Sequence, residues 1–137
     1  MPARDIFHAT VTNALIREGW KITHDPLHLP WREKNLYVDL GAEKLVTAEK
    51  GKEKIAVEIK SFVGLSEVYD LENACGQYLL YRAVLKRTDP ERSLYLAVSE
   101  EVWLSVFSDF GRLMLEDYPF SLIVFDEQKE EILKWIP

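Results

Sequence analysis

Lys54-Ile55-Ala56-Val57-Glu58-Ile59-Lys60 is the stretch on which the reading of this chain turns. Side chains alternate across a strand, so Ile55, Val57 and Ile59 can face a packed core while Ala56, Glu58 and Lys60 share the other face. Upstream, Asn35-Leu36-Tyr37-Val38-Asp39-Leu40 repeats the alternation, with Leu36, Val38 and Leu40 on one side and Tyr37 and Asp39 on the other. If the two strands are neighbours, Asp39, Glu58 and Lys60 converge.

Two carboxylates and an ammonium in one place suit a particular chemistry. Asp39 and Glu58 can share a hard divalent cation, and magnesium typically keeps several waters beside one or two carboxylates. Such a cation neutralises charge building up on an attacked phosphate, and Lys60 can orient or activate the attacking water. The plainer reading of Glu-x-Lys is a solvated surface pair of little energetic worth. The rest of the chain has to decide between them.

With 137 residues, 47% hydrophobic and 29% charged, the chain fits a single soluble domain over 1–137 with a real core. No apolar run approaches the roughly 20 residues of a membrane-spanning helix, and Met1-Pro2-Ala3-Arg4-Asp5 lacks a signal-peptide pattern, so a cytoplasmic protein is expected. One cysteine, Cys75, excludes an intrachain disulfide and any cysteine-cluster metal site, and its place on an apolar helical stripe favours burial. The formal charge of −6 runs against unaided binding to nucleic-acid backbones. Lys44, Lys50, Lys52, Lys54 and Lys60 concentrate near the candidate site, where a solvated hairpin accounts for them.

The periodicity predicts a helix from about Arg4 to Glu18, with Phe7, Val11, Ala14 and Leu15 inward and Gly19 ending it. A strand follows over 20–24 and stops at Asp25-Pro26, and a loop holding Pro30 and Trp31 leads to the Asp39 strand. Residues 45–49 pair with 54–60 around Lys50-Gly51-Lys52-Glu53. A second helix runs from Ser66, as cap, to about Lys86, with Val68, Leu71, Cys75, Tyr78, Leu79 and Leu85 as its apolar stripe. Asp70, Asn73, Gln77 and Tyr81 lie on another face. Residues 93–98 read as a strand buried on both sides. A helix over 101–116 turns Trp103, Val106, Phe107, Phe110, Leu113 and Met114 inward, with Gly111 as a break, and strands at 122–125 and 131–136 close the chain.

This order, with Asp and then Glu-x-Lys on strands between helices, resembles the core of the restriction-endonuclease-like superfamily, the PD-(D/E)xK nucleases, with Val38 in place of the dispensable motif proline. Across almost its whole length the sequence also resembles the XisH family of cyanobacterial excision-controlling factors, linked to excision of the fdxN element. Asp5-Ile6-Phe7-His8, Gly19-Trp20-Lys21-Ile22-Thr23-His24-Asp25-Pro26, Asp39-Leu40-Gly41-Ala42-Glu43-Lys44-Leu45, Ala56-Val57-Glu58-Ile59-Lys60-Ser61-Phe62 and Gly76-Gln77-Tyr78-Leu79-Leu80-Tyr81-Arg82 carry the match.

The resemblance implies an α/β fold with a central mixed β-sheet flanked by α-helices. Asp39, Glu58 and Lys60 fall on the superfamily's metal and catalytic positions, with Mg2+ or Mn2+ as cofactor, and Gln77 matches the helix glutamine of resolvase-like branches. Many superfamily members also carry an acidic residue on the first helix. Asp5, His8 and Glu18 are the candidates here, with a capping or pairing role as the alternative. His24 and His28 are four apart with Pro26 between them, which removes helical metal-ligand spacing, and for His24 a strand-end hydrogen bond is favoured over a catalytic base.

The expected function is therefore a DNA-acting, metal-dependent endonuclease-like protein in site-specific excision. Its rival is a non-catalytic factor of the same fold that binds DNA, a recombinase or a companion excision factor. A homodimer is compatible with either. The acidic balance favours the rival and the Asp, Glu-x-Lys and Gln set favours the enzyme.

Overall fold

The computed structural model describes residues 5–47 and 51–137. The predicted turn residue Lys50 and the predicted helix start at Arg4 lie outside them. The chain runs α1 (His8–Arg17), β1 (Lys21–His24), β2 (Leu27–Trp31), β3 (Lys34–Val38), β4 (Leu40–Thr47), β5 (Gly51–Ile59), α2 (Glu67–Thr88) and β6 (Arg92–Ser99). It continues through α3 (Glu100–Ser105), a 3-10 turn at Val106–Ser108, α4 (Phe110–Asp117), β7 (Leu122–Asp126) and β8 (Glu131–Ile136). No helix among the described residues is long and apolar enough to cross a membrane.

Six strands form one mixed sheet in the order β1-β4-β5-β6-β7-β8, in which β5, β6 and β7 are parallel and β4 and β8 antiparallel to their neighbours. A parallel pair needs a long crossover, and α2 supplies it between β5 and β6. Burial on both sides of the sheet follows. Val11 and Leu15 of α1 pack with Ile55, Val57, Ile59, Ala97 and Ile123 on one side. Leu71, Ala74 and Tyr78 of α2 pack with Ala56, Leu94, Leu96 and Val98 on the other. Each fully buried Ile or Val of β5 contributes at most about 1.5–3 kcal/mol against its exposed state. The expected α/β architecture is the observed one.

Local differences from expectation have identifiable causes. Helix α1 begins at His8 because Asp5 turns the chain before it, its Oδ1 accepting the Phe7 N–H at 2.9 Å. The predicted loop at Pro30 and Trp31 is strand β2, paired antiparallel with β3 in a separate two-stranded ribbon. Leu27 and Leu29 are buried while His28 and Pro30 are exposed, so Pro30 sits where strand edges tolerate it. The tight turn needs a positive φ, which Arg32 adopts at 55°.

Asp39 is not inside a strand. It is the bend between β3 and β4, and the alternation breaks there: Val38 packs on the α2 side of the sheet, Leu40 on the α1 side. The β4–β5 hairpin forms as predicted but begins at Leu40, which pairs with Val57. Ser66 caps α2, its Oγ accepting the Tyr69 N–H, whereas Val68 and Leu79 of the predicted stripe are exposed. The predicted helix over 101–116 is broken at the 3-10 turn, earlier than Gly111. Gly111 instead lets the Phe107 ring approach, since a Cβ there would lie 2.6 Å from Phe107 Cδ1. Phe110 and Leu113, expected inside, are exposed.

Candidate active site

The bend at Asp39 determines how the two carboxylates meet. Freed from the ladder, the Asp39 side chain crosses to β5, where its Oδ2 accepts the Ile59 N–H at 2.7 Å. In return the Asp39 N–H donates to Glu58 Oε1 at 3.2 Å. Glu58 is 6% exposed at the carboxyl end of β5, buried on the α2 side of the sheet. Lys60, one residue past the strand, continues the ladder by donating its N–H to the Ala97 carbonyl at 3.1 Å. Its Nζ lies 3.5 Å from Glu58 Oε2. Asp39, Glu58 and Lys60 thus come together as the alternation implied, although Asp39 reaches the cluster from a bend.

Two carboxylates face one ammonium in a largely dry place. Burial and the charge of Asp39 push the Glu58 carboxyl from its ordinary 4.5 up to about 8. Attraction to Lys60 and the Asp39 N–H pull the other way and do not prevail. The cluster therefore lacks positive charge, which a bound cation would supply.

Tyr81 of α2 is a site residue that sequence reasoning left without a role. Burial and the negative charges of Glu58 and Asp39 push its hydroxyl up to about 12, so it remains a neutral phenol near two acids. The available signal was spacing: Gln77 and Tyr81 are four apart on α2 and share a helix face. Gln77 Oε1 is buried without a hydrogen-bond partner. Together with Asp5, Lys60, Ser61 and Asn73, Gln77 lines a cleft of about 300 Å³. Gln77 and Lys60 hence border one space that a ligand could enter.

The remaining candidates have structural partners. Asp5 Oδ2 accepts the Ser61 N–H at 3.1 Å, tying the start of α1 to the segment after Lys60. The buried His8 places Nε2 2.9 Å from Asp25 Oδ1. Glu18 Oε1 accepts the Trp135 indole N–H at 3.0 Å. The His24 ring meets the Thr23 hydroxyl at 2.9 Å, and His28 stacks on Tyr37 and meets Asn35 Oδ1. Cys75 is buried, with its thiol pushed up by that burial. The lysines near the hairpin behave as a solvated face: Lys52 pairs with Glu43 at 3.6 Å and Lys44 lies over the Trp20 ring.

Among the described residues no group of three or more His, Cys, Asp or Glu side chains is placed to hold a metal ion. The pair Asp39 and Glu58 nevertheless fits a cation that needs few protein ligands. Both offer hard oxygens, a cation would take the place of the proton that burial and Asp39 hold on Glu58, and magnesium characteristically fills its shell with water.

The chain is similar to known proteins over nearly its whole length. The family model described as XisH protein matches residues 1–133. An XisH family protein from Nostoc punctiforme PCC 73102 has a similar crystal structure, with a TM-score of 0.87 and 38% identity over 97% of this chain and 100% of that one. A fdxN element excision controlling factor protein from Anabaena variabilis is similar at a TM-score of 0.85 and 36% identity, over 98% of this chain and 100% of its own. No curated protein gives a significant match.

Proposed function

The chain belongs to the XisH family, and from that premise we propose that it is a metal-dependent nuclease-like protein acting on DNA during, or in control of, the excision of a DNA element. The observation that carries this reading is the meeting of Asp39, Glu58 and Lys60 at the carboxyl end of β5, beside an open cleft. The arrangement suits the restriction-endonuclease-like superfamily. Asp39 and Glu58 would hold Mg2+ or Mn2+, which when bound supplies Lewis-acid stabilisation of charge on the attacked phosphate.

The chain's own residues do the rest. Lys60 holds an attacking water by hydrogen bonding and offsets negative charge that develops as the phosphodiester opens, a role in which fixed charges in a dry site are most effective. Gln77 turns its unpartnered carbonyl oxygen to a ligand or to the Lys60 ammonium across the cleft. Tyr81 keeps a neutral hydroxyl close to both acids.

A second reading has its own support in the net charge of −6: a non-catalytic factor of the same fold that meets DNA through a recombinase or companion excision factor. Purified protein separates the two. The enzyme should nick or cleave some duplex, branched or single-stranded DNA only with divalent metal, and Lys60→Ala should lose about 100-fold or more of that rate while remaining folded. Absence of cleavage on every DNA form, with Lys60→Ala still supporting excision in cells, would establish the accessory role instead.

A further inference from the structure

Helix α2 presents a face that nothing in the described structure covers. Tyr69, Asn73, Gly76, Leu80, Ala83 and Arg87 follow one another at spacings of four and three residues, the repeat that keeps one side of a helix against a neighbour. All six are exposed, Tyr69 at 63% and Leu80 at 51%. Leu79 flanks the stripe and is exposed as well. Gln77 and Tyr81 lie to one side of it, and the face meets the candidate active-site cleft only at Asn73.

Gly76 is the least expected member. Glycine disfavours a helix interior, and it is kept there where another chain must approach closely. Inside this protein it serves no such purpose, because a Cβ on Gly76 would meet nothing within 4 Å. The space above it is open to an approach from outside.

The charges of α2 identify the occupant. Residues 67–76 carry Glu67, Asp70 and Glu72 and no cation, whereas residues 77–88 carry Arg82, Lys86 and Arg87 and no anion. The helix dipole favours that polarity in a lone helix, but it explains neither Gly76 nor the exposed leucines. Both are explained by a copy of the same helix running antiparallel. With the two-fold axis between Leu79 and Leu80, the leucines of the two copies meet at the centre. Gly76 then faces Ala83 of the second copy, Glu72 faces Arg87, and Asn73 faces Lys86. Two-fold symmetry makes every such contact twice.

A groove of about 320 Å³ continues the seam, with Trp31, Lys34 and Leu36 of the β2–β3 ribbon facing Leu80, Ala83 and Arg87. The acidic first half of the second α2 would pass along it, with Lys34 adding a cation. A single helix contact falls short of the roughly 800 Å² per partner usual in stable interfaces, so the groove is needed and the association should be reversible.

We propose that this chain forms a two-fold dimer through antiparallel α2 helices, centred on Leu79 and Leu80 with Gly76 opposite Ala83. The proposal is independent of whether Asp39, Glu58 and Lys60 catalyse a reaction. Sedimentation equilibrium of the full chain should show a reversible passage from 15.9 kDa to twice that mass as concentration rises to roughly 100 μM. Gly76→Arg should abolish the dimer while leaving the thermal melt of the monomer in place, since open space receives the new side chain. Glu72→Arg and Arg87→Glu should each weaken association about tenfold, and the double variant should recover it with the charges exchanged. A monomer at every concentration overturns the proposal. So does a dimer that survives Gly76→Arg, or a charge exchange that fails to recover.

Discussion

Two buried ionic clusters occupy opposite ends of the same pair of strands, β5 and β6, and they are built on opposite principles. At the start of β6, Arg92 is 7% exposed, yet its Nε reaches Asp89 Oδ2 at 2.9 Å and its Nη1 donates to the Ile55 carbonyl at 2.9 Å. One cation meets one anion and a carbonyl, and both neighbours belong to the framework. At the carboxyl end of β5, Glu58 is just as buried, but it faces a second carboxylate and a single ammonium, and its carboxyl is pushed up to about 8. A balanced buried charge fastens the sheet. An unbalanced one is a place held ready for something positive, which is the physical argument for function there.

Substitution at each end should therefore separate stability from chemistry. Arg92→Ala leaves the Ile55 carbonyl without its donor in a dry place and releases the partly exposed Asp89 carboxylate, and should cost about 1–3 kcal/mol of folding stability, readable by urea denaturation. Whatever DNA cleavage the protein performs should be unchanged per folded molecule. Lys60→Ala should behave in the opposite sense, with little change in the melt and loss of the rate. An Arg92 variant that kept its stability but lost activity would dissolve the distinction.

A smaller effect sharpens it through pH. Glu58 has a folded-state pKa near 8, above its ordinary 4.5, so its protonated form favours the folded state. That contribution is fully present below pH 4.5 and is lost as pH rises through 8. The melting temperature of the natural protein minus that of Glu58→Gln should accordingly fall between these limits. Magnesium or manganese, which bind the ionised pair, should raise the melting temperature of the natural protein more at the alkaline end than at the acid end. Glu58→Gln should reduce that increment. A metal increment independent of pH would place the cation elsewhere.

The contrast also bears on what could be read from the chain. Strand alternation was enough to bring Glu58 and Lys60 to one end of β5, because a pleated strand leaves side chains few choices. The bend at Asp39 escaped that logic: period-2 spacing is the same whether or not the chain changes sheets, and only the separation of Val38 from Leu40 across the sheet reveals it. Likewise, Pro30 suggested a loop, and the buried alternation of Leu27 and Leu29 that makes β2 an edge strand went unused. Long-range partners were the least legible. Nothing local in the sequence joins Glu18 to Trp135, or Arg92 to Ile55, and a helix face tells which residues are neighbours without telling which carboxylates they approach.

Tyr81 is the clearest instance of that last limit and yields the smallest predicted effect. Its hydroxyl feels both Glu58 and Asp39 and is pushed up to about 12, so it does not ionise at the pH of any ordinary assay. It can act only as a neutral dipole beside the acids, turning its hydrogen toward negative charge. Tyr81→Phe removes that dipole and keeps the ring, so packing against the α2 side of the core is retained and the stability change should stay within about 1 kcal/mol. Loss of one neutral hydrogen-bonding group from a site whose charged members remain should slow DNA cleavage by about tenfold or less, with KM for DNA little altered. Because the missing hydroxyl no longer favours the ionised carboxylates, the acid limb of the pH–rate profile should also move slightly upward. A loss matching that of Lys60→Ala would instead put the phenol among the groups that touch the reacting phosphate. A rate and profile identical to the natural protein would assign Tyr81 to packing alone and leave the chemistry to Asp39, Glu58 and Lys60.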